Sequence, residues 1–382
     1  MSGIVGIWNL KDQPVEKPLL QRLSATLAHR GTDGEGIWSR RSVGLACRNL
    51  WVTPESEKEI QPKVHPSGTV VVFDGRLDNR EEILARLKGS HDISPASSDA
   101  ALILAAYRAV KERLPEWLVG DFSFALFDPH EPQLLLVRDA LGVRPLYYYR
   151  TADTFLFASE AKALLSHPQV SAQPEDDLLA DFLLDRFHDQ ERTFFKGISS
   201  LPPAHAALIS PKGFRKWRYW DFDPSVRIHL GSYPEYAEAF REVFEKSVKR
   251  RLRSAYPVAV SVSGGLDSSS VLCQAEALIQ RNSGFCPRVF GVSSLYPEGT
   301  PSDEHSYLSH IETCYGSRIH RIPFGPFGLP DRSEAEVWHI EVPFLDELWA
   351  DTHRLMETIH RLGARVLLTG HWGDQFLFSQ DY

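Results

Sequence analysis

The chain has 382 residues, of which 43% are hydrophobic and 24% charged, with a formal net charge of -8. That length accommodates two or more domains with full-sized cores. The acidic balance argues against nucleic acid or an anionic membrane surface as the main partner. Four scattered cysteines (Cys47, Cys273, Cys286 and Cys314) form no CxxC pair and no metal-ligand spacing. They are expected to be buried free thiols of a cytoplasmic protein, not a disulfide framework or a zinc site. The opening apolar run is broken by Asn9, Lys11 and Asp12, with no basic region ahead of it. It is therefore not expected to be a signal peptide, and no later stretch is long enough to cross a bilayer.

The first half reads as short strands between turn signals: GIVGIW, SVGLACRNLWV, GTVVVFDGRL, DFSFALFD, QLLLVRD, PLYYYR and TFLFAS. Two amphipathic helices interrupt them, near 18–28 and 98–114. The second has Ser98 as N-cap and Asp99 in its first turn. Many strands with few helices predict stacked antiparallel sheets partly covered by helices. A Pro-, Gly- and aromatic-rich stretch then reads as a final hairpin and a linker, with the first domain ending at 212 and the linker running over 213–232. Beyond it the period changes. Tyr236, Phe240, Val243, Phe244 and Val248 mark a long helix. Three strand-then-helix signals follow: PVAVSVS into 267–280, RVFGVSS into 302–315, and ARVLLTG after a helix near 345–362. That alternation predicts a doubly wound parallel sheet over 233–382.

The strongest local signal is VAVSVSGGLDSSSVL. A buried strand runs into Ser263, Gly264 and Gly265, and a helix begins around Asp267. Glycines allow close backbone approach to an anion, and the helix start offers unpaired N–H groups and a positive dipole end. Ser263, Ser268 and Ser269 add hydroxyls, and Asp267 adds a carboxylate suited to Mg²⁺ on the phosphates. The Gly-Lys-Ser/Thr ending of a Walker A loop is absent, which suits pyrophosphate better than a transferable γ-phosphate.

SVSGGLDSS resembles the pyrophosphate loop of the N-type ATP pyrophosphatases, and the full chain resembles the asparagine synthetase family. The landmarks are HRGTDG (His29–Gly34), RDALGVRPLYYY (Arg138–Tyr149), FASEAKALL (Phe157–Leu165) and GISSLPPAH (Gly197–His205). The resemblance implies an N-terminal-nucleophile hydrolase-like amidotransferase domain, then an adenine nucleotide α-hydrolase-like domain. It implies ATP phosphates on Ser263, Gly264, Gly265, Asp267, Ser268 and Ser269, and adenosine against Val262 and Val292. TGHWGDQ stands at the family's second metal motif, so Thr369 and Gly370 would face the nucleotide and Asp374 would join Asp267 around Mg²⁺. His371, Trp372 and Gln375 depart from the family pattern there, which puts the acyl acceptor in question and makes His371 a candidate catalytic group. Ring-closing relatives, the β-lactam synthetases and lasso-peptide macrolactam cyclases, also vary near this point.

Working family glutaminases carry Cys directly after Met, with the freed α-amine as base. Ser2 stands there in this chain. Asn49 occupies the place of the Arg that holds the glutamine carboxylate, and NGE is replaced by Asp74-Gly75-Arg76. Arg48, one residue along the strand, is expected on the opposite face. An ionised Asp cannot donate to an oxyanion. Asp99 still fits a contact to the glutamine amine, or equally a helix-start role. A degenerate glutaminase is therefore expected. The function implied is an ATP-dependent amide-forming ligase, nominally a glutamine-hydrolysing asparagine synthase, that activates a small-molecule or peptide carboxylate as an acyl-adenylate. Alternatives are a macrolactam or β-lactam cyclase and a non-catalytic remnant or binding module. A sulfur-transfer or tRNA-modifying pyrophosphatase has little support. The chain stops at Tyr382, whereas family members continue through a further helical region. A truncated second domain is expected, as a homodimer or with a partner covering its carboxyl-terminal face.

Overall fold

The computed structural model describes all residues except 89–91, 185, 187–188, 283, 326–332, 343–348, 372 and 374–382. The chain divides into two units, Met1–Trp51 with Lys58–Val226, and Val52–Glu57 with Arg227–Tyr382.

In chain order the first unit contains β1 (Gly3–Asn9), α1 (Lys17–Ala25), β2 (Gly34–Arg40), β3 (Val43–Asn49), β4 (Lys63–Val64), β5 (Val70–Leu77), α2 (Arg80–Arg86) and α3 (Asp99–Val110). It continues through β6 (Gly120–Asp128), β7 (Gln133–Arg138), β8 (Tyr147–Arg150), β9 (Thr154–Ala158), α4 (Ala161–Leu165), α5 (Asp176–Leu183), β10 (Ile198–Ser200), β11 (His205–Ser210) and β12 (Gly213–Arg218). Two antiparallel sheets result, ordered β10-β8-β9-β1-β3-β2 and β12-β11-β7-β6-β5-β4.

Strand alternation assigns each face. Ile4, Trp8, Phe155 and Phe157 meet Val70, Val72, Ala125 and Leu136 between the sheets. The intervening residues Val5, Ile7, Leu156 and Ala158 point outward to Leu20, Leu23 and Leu164 of α1 and α4. On the far side Val71, Phe73, Phe122 and Phe124 pack on Leu102, Ile103 and Ala106 of α3. The unit is thus four layers, helix–sheet–sheet–helix. Ser98 caps α3 as its sequence predicts, accepting from the Ala101 N–H at 3.4 Å. The α-helix stops at Val110, short of the expected 114, and a 3-10 turn holding Pro115 continues it.

The second unit contains α6 (Tyr233–Arg251), β13 (Val258–Ser261), α7 (Leu266–Arg281), β14 (Val289–Leu295), α8 (His305–Tyr315), β15 (Ile319–Pro323), α9 (Ser333–Ile340), α10 (Trp349–Arg361) and β16 (Val366–Leu368). Its sheet is parallel, ordered β15-β14-β13-β16. Val260, Val262 and Leu295 pack beneath α7 and α8 on one face. Ala259, Phe290 and Val292 pack beneath Ile359 of α10 on the other. Helices on both faces make this the doubly wound arrangement.

Four expectations need correction. Residues 213–218, read as linker, form β12 at the edge of the second sheet, paired with β11. Its basic residues Arg215, Lys216 and Arg218 hid the strand, because edge strands commonly carry charge. Val52–Glu57 belongs with the second unit: the Ala255 N–H donates to the Val52 carbonyl at 2.8 Å, and Arg253 pairs with Glu55 at 2.5 Å. The helical stripe of α6 packs only toward its end, where Val248 is buried, while Tyr236, Phe240 and Val243 are 41%, 54% and 65% exposed. Of the four free thiols, Cys47 and Cys286 are buried, Cys273 is half-buried and Cys314 is exposed. No helix among the described residues is long and apolar enough to cross a membrane.

Candidate active site

The first unit gathers a buried charge cluster beside Ser2. Ser2 immediately precedes β1, and its Oγ accepts the Leu50 N–H at 3.1 Å just beyond β3. Its carbonyl accepts from Arg30 Nε at 2.9 Å. The same guanidinium donates from Nη1 to Glu160 and from Nη2 to Asp74, both at 2.9 Å. Glu160 also meets His29 at 3.0 Å and Lys162 at 2.8 Å. Asp74 sits on β5 facing away from Phe73, and Gly75 beside it has φ +146, where a Cβ would strike the Asp121 carbonyl at 2.1 Å.

Burial alone would pull the Arg30 guanidinium down, but Asp74 and Glu160 together hold it above its ordinary value. Burial likewise raises Glu160, yet hydrogen bonds from His29 and Lys162 and the Arg30 charge outweigh it and bring the carboxyl to about 2. A depressed folded pKa contributes stability that is present above the unfolded value and lost as pH falls through the folded one. We therefore expect the first unit to lose stability between about pH 4.5 and pH 2. Urea melts across that range should show a flatter acid limb for Glu160→Gln, and identical slopes would refute this assignment.

The other residues singled out in the sequence fall around this cluster. Asn49 is buried at the end of β3, with Nδ2 at 3.5 Å from the Gly34 carbonyl and Oδ1 at 3.6 Å from Cys47 Sγ. Arg48 is turned away, bonding Ser24 at 3.2 Å and Glu35 at 3.0 Å. Arg76 pairs with Asp78 at 2.9 Å. Asp99 accepts the Leu77 N–H at 2.8 Å and pairs with Arg80, so both of its oxygens are engaged within the fold. Asp74 carries the negative charge expected from its sequence, but Arg30 neutralises it. What the position lacks is an N–H donor. The roles of His29, Arg30, Glu160 and Lys162 were missed in the sequence, although two quoted motifs carry opposite charges that a buried pair would need.

In the second unit, β13 delivers the loop at 262–265 to the start of α7. The Ser263 N–H donates to Ser268 Oγ at 3.0 Å, the Gly265 N–H to Ser263 Oγ at 3.2 Å, and Ser269 Oγ to the Ser263 carbonyl at 3.0 Å. These hydroxyls fold the loop back on the helix start, where first-turn N–H groups have no intrahelical acceptor. Asp267 lies in that first turn.

Parallel pairing of β16 with β13 brings the segment after Leu368 to the same sheet end. A Cβ at Gly370 would fall 2.5 Å from the Ser268 amide nitrogen and 2.7 Å from the Asp267 carbonyl carbon. One at Gly373 would fall 2.3 to 2.7 Å from the Asp267 carboxyl atoms. At Gly370, where the neighbours are backbone atoms, only glycine admits that approach. Thr369 and His371 are exposed, and Asp374, Trp372 and Gln375 lie outside the described residues. Val262 and Val292 are adjacent, joined by an N–H to carbonyl bond at 2.9 Å, with side chains in cores on opposite faces. Among the described residues no group of three or more His, Cys, Asp or Glu could hold a metal ion.

The glutamine amidotransferase domain family matches residues 1–220, and the asparagine synthase family matches 239–380. Asparagine synthetase [glutamine-hydrolyzing] 3 of Bacillus subtilis (strain 168) is 29% identical over 354 residues, covering 90% of this chain and 57% of that protein. The asparagine synthetase of Zea mays is 29% identical over 390 residues, covering 98% and 59%. Amidase chry2 of Gibberella zeae is 28% identical over 390 residues, covering 96% and 56%. The chain thus spans about half the length of the curated relatives it matches. With its antiparallel amidotransferase-type sheets ahead of a parallel sheet bearing the SGGLDSS loop, this chain belongs to the asparagine synthetase family.

Proposed function

We propose that the chain is an ATP-dependent carbon–nitrogen ligase of the asparagine synthetase type, with an adenylating second unit and no working glutaminase. The observation that carries this reading is the serine-tied loop at the start of α7, with Gly370 and Gly373 closed against Asp267. A substrate carboxylate oxygen attacks the α-phosphorus of ATP, the bond to the β-bridging oxygen breaks, and pyrophosphate leaves. An amine nitrogen then attacks the acyl carbon, AMP departs with the electron pair of the broken C–O bond, and the amine sheds a proton. The Gly264 N–H, the first-turn N–H groups of α7 and the Ser268 hydroxyl hold phosphate oxygens, while the Ser263 and Gly265 N–H groups and the Ser269 hydroxyl keep the loop in shape through their own hydrogen bonds, so that charge developing on the leaving group meets fixed donors. Val262, Val292, Thr369 and Gly370 flank the adenosine. Asp267, in the first turn of α7, would hold a magnesium ion brought by the nucleotide, with Asp374 as the second carboxylate that the family resemblance implies. That ion would supply neutralisation of phosphate charge.

Several features support a silent glutaminase. Ser2 replaces the thiol, Asn49 cannot anchor a carboxylate as a guanidinium does, and Asp74 is committed to Arg30. We expect purified protein to release no glutamate from glutamine above background. Turnover that Ser2→Ala abolishes would overturn this. Without that ammonia, the acceptor is free ammonia or an amine carried by the substrate itself, which favours ring closure on a small molecule or peptide as the second reading. Pyrophosphate release from ATP with a panel of carboxylates, with and without added ammonia, tests the ligase. Release that needs a substrate carrying both carboxylate and amine supports ring closure, and no release with any substrate supports a non-catalytic remnant.

A further inference from the structure

We infer that Tyr307 is a positioning residue that holds the Ser263–Gly264–Gly265 loop in its phosphate-accepting shape. The inference rests on the reading that this loop takes the phosphates of ATP. Tyr307 belongs to α8, a different element from the strand and helix that carry the loop, and its side chain lies directly over Gly264. A Cβ at Gly264 would fall 2.9 Å from Tyr307 Cδ2 and 3.2 Å from its Cβ and Cγ. The tyrosine is nonetheless 62% exposed, so core packing does not explain its place.

The start of α8 is itself tied down. Asp303 accepts the Gly299 N–H at 2.8 Å and the His305 N–H at 3.0 Å, and lies 2.8 Å from His305 Nδ1. The ring is therefore delivered from a fixed helix end. On the loop's other side, Ser268 and Ser269 bond Ser263. Between these two restraints lies a glycine pair, the stretch of backbone with the most freedom to lose when phosphate binds. A ring seated on Gly264 removes that freedom before the ligand arrives, which is preorganisation.

Affinities of the full chain for ATP, inorganic pyrophosphate and AMP, measured by calorimetry, test the assignment. Ordering a freed loop residue at binding weakens affinity by about tenfold. Tyr307→Ala is accordingly expected to lose about that factor for ATP and for pyrophosphate, with AMP little changed, and Tyr307→Phe to restore both. Undiminished ATP binding by Tyr307→Ala, or equal losses for ATP and AMP, overturns the inference while leaving the nucleotide reading intact. A wild-type chain that binds neither ATP nor pyrophosphate overturns both.

Discussion

Arg30→Leu is expected to lower the unfolding free energy of the first unit by about 3–5 kcal/mol, the cost of breaking a buried ion pair by removing one partner. The guanidinium bridges Asp74 on β5 and Glu160 beside α4, and it also holds the carbonyl of Ser2. Glu160 keeps His29 and Lys162 when Arg30 is removed, whereas Asp74 loses the guanidinium that neutralises it in a site 1% exposed. Most of the penalty should therefore come from Asp74. Arg30→Leu combined with Asp74→Leu should recover most of it, because charge and counter-charge leave together. Urea melts of the single and double variants decide the matter. A single variant within about 0.5 kcal/mol of wild type, the range of an ordinary surface substitution, would show that the cluster carries no such weight.

Gly370→Ala is expected to reduce pyrophosphate release from ATP by about 10²-fold, the scale that accompanies displacement of reacting groups by about 1 Å. The added methyl would meet backbone atoms of Asp267 and Ser268, which cannot rotate aside as a side-chain tip can. Either the start of α7 or the segment after β16 must move, and both belong to the proposed phosphate site. Because Gly370 lies in a loop, the melting transition should shift much less than the activity. Unchanged pyrophosphate release would place the nucleotide away from this junction. A collapse of folding in parallel with activity would show that the contact serves stability instead.

The two sites differ in how far their parts stand apart along the chain, and that governs how legible each was. The SGGLDSS loop is contiguous, so strand, glycines, hydroxyls and carboxylate could be read as one unit over 258–270. The Arg30 cluster draws on residues 44 and 130 positions away, and it exists only because β5 lies beneath the first sheet and β9 leads into α4. Asp74 could be recognised as a poor oxyanion donor from its side chain alone, while its neutralisation by Arg30 could not.

The residues by themselves determined the local periods and the turn-to-helix chemistry. The apolar runs bounded by turn signals predict the strands β1 and β5, and Ser98 predicts the start of α3. Only the tertiary structure decided that β12 extends the first unit, that Val52–Glu57 joins the second, and that the stripe on α6 remains largely exposed. It also decided that β15, whose IHRIP lacks a clear apolar run, closes one edge of the parallel sheet. The physical reason is common to all four. A backbone period specifies which side chains share a face, but what covers that face depends on pairing and packing between segments far apart in the chain.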